Sequence, residues 1–411
     1  MFIFIFIFSC APVNNYISEI SKETNKTENL IAESNEKKKI LKKNLLFENK
    51  INYEIELILP NYGNEKITSS LINSFELSLY KKKIKDVSLI VNRYLDLNDL
   101  EKTIKEKAKP GKIFIGTLSP QAARLVKNYC AEGILFFSFS SDQTLADNCV
   151  YLINFFPKDD LIALFNFFPD NSKIALLYPE NFYGYHINRI IDSIVVESKS
   201  LIVNRSSYNE DLTNARKAIK ELSKYEIRKK ELERQKIILE SKSDEISLKA
   251  LKKIKKFETL GNVDFTHIIL PDYSIRLLEI APLLPFYDVD PNKVQFVGTG
   301  VWDDKVFFDE PSLQGAIFSG IEYSKRKDFF NSYEKIYKEK PIRTATIPYD
   351  LMGLISYIFD KQMKIKEVYE LLNNGSLKFD GIDGKFYFTN NIIFRELNVL
   401  QIGEGEAIKL N

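Results

Sequence analysis

The sequence predicts an α/β protein with two lobes, each a parallel sheet flanked by helices, and a charged helical hairpin inserted into the second. Two observations carry the sheets. Short apolar runs of strand length alternate with stretches of helical periodicity, and the series breaks off and restarts after LINFFP, residues 152–157. Strands alternating with helices of about ten to fifteen residues form βαβ units with right-handed crossovers and a parallel sheet. A third observation carries the insertion: residues 209–262 are dense in charge, hold no proline, and have no glycine before Gly261. A chain of 411 residues can fill two substantial cores.

The first series opens with IELILP (55–60), a strand leading into a loop with Asn61, Tyr62 and Gly63. ITSSLINSFELSLYKK follows with apolar residues at helical spacing. VSLIVNRY (87–94) is a strand, 97–108 a helix, and KIFIGTL (112–118) a strand. SPQAARLVKNYCAE then reads as a helix, with Ser119 as its N-cap and Pro120 at its first position. ILFFSFS (134–140) is the next strand.

In the second series, helix 158–168 precedes the strand KIALLYP (173–179), helix 184–196 and the strand KSLIVNRSSY. After the insertion come FTHIILPD (265–272), helix 274–284 and the strand VQFVGTG. GAIFSGI, helices at 326–338 and 348–360, and a β-rich tail complete the chain. Within the insertion, Ile219, Leu222, Tyr225, Leu232 and Leu239 recur at helical spacing, and Ser241 with Asp244 can cap a second helix. The expectation is a hairpin whose first arm of about 30 residues is roughly 45 Å long. Fifteen Lys/Arg face ten Asp/Glu between Glu210 and Glu258, a local charge of +5 that makes this arm a candidate docking surface for a protein partner.

Overall, 58 basic residues nearly cancel 56 acidic ones, so net charge does not suggest nucleic acid. MFIFIFIFSC at the start is too short to cross a bilayer, which takes about 20 apolar residues. It reads as the apolar core of a signal peptide (1–9), and Ile7-Phe8-Ser9-Cys10 resembles a bacterial lipoprotein cleavage box in which Cys10 carries the lipid. Residues 10–50 are polar and rich in Lys, Glu and Asn, a composition that builds no core. They form a flexible tether with a span of roughly 35 Å. The expected first lobe is then 51–154 with 316–375, and the second 155–315 with 376–402. In an exported protein Cys130 and Cys149 can pair, or equally stand as two small buried hydrophobes.

No phosphate-binding loop, nucleophile elbow or metal-ligand spacing is present, and His186 and His267 stand apart from any Cys/His/Asp cluster. The expectation is a non-catalytic protein with no cofactor and no metal. Its candidate contacts lie on loops at the carboxyl ends of the strands, where open α/β sheets bind ligands. These are Tyr62; Ser119, Ser138, Ser140, Ser141 and Asp142; Tyr183; and Trp302 with Asp303. The hydroxyls and the helix N-terminus behind Ser119 favour a carboxylate. GTGVWDD (298–304) lacks the third glycine of a nucleotide loop and reads as one wall of a binding cleft.

At these loops the chain resembles the type I periplasmic binding proteins of the leucine/isoleucine/valine class, over about residues 53–402. IGTLSP and ILFFSFSSD stand where that family grips an amino-acid carboxylate, YPENFYGYH matches a strand ending in a tyrosine-glycine step, and VQFVGTGVW falls on the loop that supplies an acid to the ligand ammonium. IAPLLPFYDVDPNKVQFVGTGVWDD, EPSLQGAIF, RTATIPYDL and FDGIDGKFYF, with DEISLKALKKI in the insertion, resemble more closely the penicillin-binding-protein activator lipoproteins of alphaproteobacteria. The resemblance implies a two-lobe binding-protein fold, a periplasmic place on the outer membrane, and stimulation of peptidoglycan synthesis through a cell-wall synthase. The alternative it leaves is an importer's receptor for a small carboxylate or amino acid. Thr299, Gly300, Val301 and Trp302 occupy the place of the usual acid, so an ammonium ligand would rely on Asp303.

Overall fold

The computed structural model describes residues 53–410 apart from 64, 85, 148, 274 and 376. The signal segment, Cys10 and the tether lie outside the described residues. Chain contacts define two compact units. In the smaller, whose described residues are 53, 84 and 86–88, the Tyr53 N–H donates to the Asp86 carbonyl at 2.8 Å. The larger, 54–83 and 89–411, carries both lobes.

The first sheet has eight strands. β1 (Tyr53–Pro60), β2 (Val87–Tyr94), β3 (Ile113–Gly116), β4 (Leu135–Ser138) and β5 (Val150–Leu152) come from the first chain series. The second sheet takes β6 (Lys173–Pro179), β7 (Leu201–Tyr208), β8 (His267–Ile269), β9 (Gln295–Gly298) and β10 (Ile317–Gly320). β11 (Phe379–Gly381), β12 (Gly384–Thr389) and β13 (Ile392–Arg395) return to the first sheet, and β14 (Asn398–Gly403) and β15 (Glu406–Lys409) to the second. The spatial orders are β11-β12-β13-β5-β4-β3-β1-β2 and β15-β14-β10-β9-β8-β6-β7. β1, β3, β4 and β5 are parallel, as are β7, β6, β8, β9 and β10; of the C-terminal tail, β13 joins β5 in parallel and the other pairings are antiparallel.

Strands buried on both faces read as unbroken apolar runs, and every residue of β3, β4, β5 and β10 is buried. In the second lobe the alternation of β6 sorts side chains to two faces. Ala175 and Leu177 join Ile219, Phe296 and Trp302 on one side, while Ile174 and Leu176 pack with Leu161, Leu164 and Ile191 on the other. The Ser119 hydroxyl accepts the Ala122 N–H and Pro120 opens the helix Pro120–Lys127, as its cap residues dictate.

Two boundaries differ from the sequence expectation. β10 belongs to the second sheet although 316–375 was expected in the first lobe, and β11–β13 belong to the first sheet although 376–402 was expected in the second. The chain therefore crosses between sheets at Ile153–Phe156, at Ile321–Glu322 and at Glu396–Leu397, each time directly after a strand. A strand's apolar run does not say which of two sheets it joins, so pattern alone could not place the second and third crossings.

The insertion differs too. Helix Ala215–Leu222 is a crossover helix of the second lobe, its Ala215, Ala218, Ile219 and Leu222 buried in the core. Lys224, at φ 52°, breaks the expected single arm, and the true hairpin is Tyr225–Glu240 packed against Glu245–Ile254. Asp244, not Ser241, caps the second helix by accepting the Ser247 N–H. The Ser241 hydroxyl turns back to the Ile238 carbonyl instead.

Candidate functional site at the lobe crossings

The first-lobe loops start from Gly116. A Cβ there would lie 1.9 Å from the Ile58 carbonyl oxygen, so only glycine lets β3 end this close to β1. Beyond it the hydroxyls serve the loops themselves. The Thr117 hydroxyl contacts Ser138 Oγ at 2.7 Å, and Ser138 Oγ accepts the Ser140 N–H at 3.2 Å. Ser140 Oγ accepts the Asp142 N–H, and Asp142 Oδ1 accepts both the N–H and the hydroxyl of Thr144. Arg124 stands 3.6 Å from the other Asp142 oxygen. Ser138 and Ser140 are fully buried, Ser141 is exposed, and Tyr62 is exposed edge-on to Tyr94. Ser119, Ser138 and Ser140 are thus engaged in caps and turns, and Asp142 places a negative charge beside them that opposes a carboxylate.

The second-lobe loop corrects the expectation for Trp302. Its side chain is 0 % exposed and its Nε1 donates to the Asp272 carbonyl at 3.1 Å, so it is core and not cleft wall. A Cβ on Gly298 would strike the indole at 1.9 Å, which explains the glycine at the end of β9. Burying the indole beyond β9 needs a residue with no side chain ahead of it, and the Gly-x-x-x-Trp spacing was the sequence signal. Tyr183 meets the Thr299 hydroxyl at 2.7 Å, and burial pushes its phenol up, as does nearby Asp160. Asp160 accepts the Gly300 N–H at 3.1 Å and the Ser319 hydroxyl at 2.6 Å, tying the Gly-Thr-Gly loop to β10.

Asp303 is brought together with residues the sequence did not single out. Arg326, on the helix Tyr323–Tyr337, reaches Asp303 at 2.6 Å, and Arg343 reaches it at 3.4 Å. Arg343 also pairs with Asp383, in the β11–β12 turn, through 2.9 Å contacts to each carboxylate oxygen. Arg326 lies 3.8 Å from Asp383 and donates to the Ile321 carbonyl at 2.7 Å. Arg395 donates to the Asn154 carbonyl, while its N–H meets Asp159 at 3.1 Å. The Arg343 and Arg395 guanidinium groups stand over the Phe155 ring at 4.4 and 4.6 Å. Asp350 accepts the Ile382 N–H at 2.9 Å. These residues ring the crossings, with Asp303, Asp159 and Asp160 from second-lobe elements and the others from first-lobe elements or the crossings themselves.

Burial sets their electrostatics. It pushes Asp159 up to about 8 against the pull of Arg395, Asp160 up to about 6 against Ser319 and Gly300, and Asp350 up to about 7, aided by Asp383. Asp383 is buried as well, but Arg343 and Arg326 hold it below the usual carboxylate range. Three arginines facing acids that shed part of their charge make a compact, nearly balanced cluster. Its chemistry is ion pairing across the crossings; a ligand ammonium would have to displace two arginines to reach Asp303.

Cys130 and Cys149 form a disulfide, with Cα atoms 5.5 Å apart. A cavity of about 600 Å³ beside it is lined by Glu132, Lys366 and Tyr369, and another of about 340 Å³ by Glu180, Arg205 and Lys217. Neither touches a residue expected to contact ligand. Among the described residues no group of three or more His, Cys, Asp or Glu side chains could hold a metal ion, and no helix is long and apolar enough to cross a membrane.

No protein-family model and no curated protein matches the chain. Solved structures do. A putative branched-chain amino acid ABC transporter from Rhodospirillum rubrum superposes with a TM-score of 0.64 at 11 % identity, covering 87 % of this chain and 99 % of its own. The C-domain of LpoA from Haemophilus influenzae, described as a regulator of PBP1A, gives 0.57 at 11 % identity over 87 % of this chain and 100 % of that domain. An ABC transporter substrate-binding protein from Desulfitobacterium hafniense in complex with Leu gives 0.53 at 14 % identity, over 87 % and 99 %. Similarity at this level speaks for fold alone. The chain has the two-lobe type I periplasmic-binding-protein fold, two sheets joined by three crossings.

Proposed function

We propose that this is a non-catalytic, periplasmic envelope lipoprotein that acts by docking to a peptidoglycan synthase, with Cys10 as its lipid anchor to the outer membrane. The observation that carries this reading is Asp303. Asp303, the acid on which a ligand ammonium would have to rely, is occupied by Arg326 and Arg343 of the same chain, and Asp160 beside it is held by the Gly300 N–H and the Ser319 hydroxyl. A cluster that joins second-lobe loops to first-lobe helices suits a body of fixed shape, whereas a receptor closes its lobes by hinge motion. The fold shared with the LpoA C-domain, a regulator of PBP1A, supports the same role, and the disulfide suits an oxidising compartment.

The second reading is a receptor feeding an importer, favoured by the fold shared with the Leu-bound substrate-binding protein. One pair of measurements separates the two. Crosslinking in intact envelopes is expected to join the chain to a peptidoglycan synthase, and amino acids or small carboxylates at millimolar concentration are expected to leave its melting temperature unchanged. A receptor at 100 times its Kd would gain about 2.7 kcal/mol of stability. A saturable rise of that size without a synthase crosslink overturns the proposal.

A further inference from the structure

The hairpin Tyr225–Glu240 and Glu245–Ile254 is the part of the molecule that the fold does not explain. Its two helices pack on each other, with Leu232 of the first and Leu251 of the second buried, and Arg228 ties its base to the body through Asp288 and Thr259. The outer faces carry aliphatic side chains turned to solvent. Ile246 is 82 % exposed, Ile227 68 % and Ile237 67 %, with Leu248 and Phe257 about half exposed. Ile246, Lys249 and Lys253 are spaced i, i+3, i+7, and so are Ile227, Lys230 and Arg234, so each helix shows apolar and basic groups on one face.

The cations differ in kind. Both arginines of the hairpin are engaged, Arg228 with Asp288 and Arg234 with Glu231. The cations without an ion pair are lysines, including Lys242, Lys252, Lys253 and Lys256. Between Lys224 and Glu258 there are twelve basic and seven acidic residues, so these 35 positions hold a charge of +5.

We infer that the exposed face of this hairpin rests on an anionic lipid surface, its isoleucines entering the headgroup layer and its free lysines meeting the charged headgroups. Protein interfaces favour arginine and aromatic side chains and are depleted in lysine. A lipid surface needs neither planar hydrogen-bonding geometry nor a shaped pocket; aliphatic side chains flanked by lysine suffice. The hairpin offers the second set. The inference stands apart from the proposed role at a synthase and does not require Cys10 to be acylated.

A nitrobenzoxadiazole probe on the full chain carrying Cys10→Ser and Ile246→Cys tests it locally, whatever the N-terminal residues do. With vesicles of phosphatidylcholine and 30 % phosphatidylglycerol the probe's emission is expected to shift to the blue and rise several-fold. With pure phosphatidylcholine it should not move, nor should a probe at Lys327→Cys in either case. Lys252→Glu, Lys253→Glu and Lys256→Glu together should weaken the response roughly a hundredfold, at about 1 kcal/mol for each lysine near the surface. Lys102→Glu, Lys325→Glu and Lys327→Glu, which change the net charge equally on the first lobe, should leave it within a factor of a few. An unmoved probe at 246 on anionic vesicles overturns the inference. So does an equal response to neutral vesicles, or equal loss in the two lysine triples. A hairpin that lies against a protein would give the first of these results.

Discussion

Two parts of this molecule are crowded with charge, and they use it in opposite ways. Along the hairpin's outer faces, beyond the Arg228–Asp288 tie at its base, most partners lie close in sequence: Glu245 with Lys249, Glu231 with Arg234, Glu233 with Lys236, mostly exposed and bridging one helical turn. At the crossings, Asp303 and Arg326 are 23 positions apart and Arg343 and Asp383 are 40, and Arg326, Asp383 and Asp303 are largely withdrawn from solvent. The difference teaches what each set is for. Exposed pairs gain little, since water and salt compete for the same groups. Buried ones cannot lose a partner without leaving an uncompensated charge. Charge in the hairpin dresses a surface; charge at the crossings fixes how second-lobe loops meet first-lobe helices.

Removing one member of the buried set should therefore give the largest effect. Arg326→Ala takes away the 2.6 Å partner of Asp303 and the donor to the Ile321 carbonyl from a side chain 3 % exposed. A loss of about 3–5 kcal/mol is expected in urea unfolding. Asp303→Asn alone should cost less, because it removes the charge and keeps the shape. The double variant should be less unstable than the sum of the two, since each single change takes from the other residue its nearest charged partner. Strict additivity would mean that the two groups do not interact and that the cluster is no lock.

The pH dependence is the next effect in size. Asp159 and Asp350 have folded-state values raised to about 8 and about 7, against about 3.9 for an unfolded aspartate. Between those limits the folded protein keeps protons that the unfolded chain has released, so stability falls as pH rises. His267, lowered to about 4 by burial, and His186, lowered in the same direction, act oppositely but only below about pH 6.5, where an unfolded histidine gains its proton. Asp383, held low, matters only below the ordinary aspartate range. The clean window is pH 6.5 to 8, over which about 2 kcal/mol should be lost. Asp159→Asn should flatten most of that slope, and a slope that survives the substitution would place its origin outside the crossings.

Reading the sequence recovered what local pattern encodes and missed what distance encodes. The strands, the flanking helices and the Ser119 cap follow from apolar spacing and N-cap chemistry over a few residues. Asp159, Asp160, Arg326, Arg343 and Arg395 went unseen because each finds its partner at a sheet crossing, and a single sequence holds no trace of which distant charge faces which. A partial signal existed. RTATIPYDL and FDGIDGKFYF, the stretches that carried the closer resemblance, contain Arg343, Asp350 and Asp383. Those motifs carry residues of the cluster at the crossings. Trp302 was misplaced for a related reason: a large ring beside a strand end reads as cleft wall until the empty side of Gly298 is seen beneath it.

The smallest effect tests the other half of the comparison. Glu245 and Lys249 make a 2.7 Å pair one turn apart on the second hairpin helix, with side chains 81 % and 75 % exposed. Glu245 also sits in the first turn, where a negative charge favours the helix N-terminus. Glu245→Gln removes both contributions, yet Asp244 still caps the helix through the Ser247 N–H and the seam around Leu251 is untouched. The melting temperature should stay within about 1 °C of the parent. On anionic vesicles the same substitution frees Lys249 and raises the hairpin's charge by one, so binding should tighten several-fold. A change that leaves the fold alone and strengthens the surface contact is what charge placed for a surface predicts. If Glu245→Gln instead destabilised the protein as Arg326→Ala does, the hairpin's pairs would be structural and the contrast between the two regions would fail.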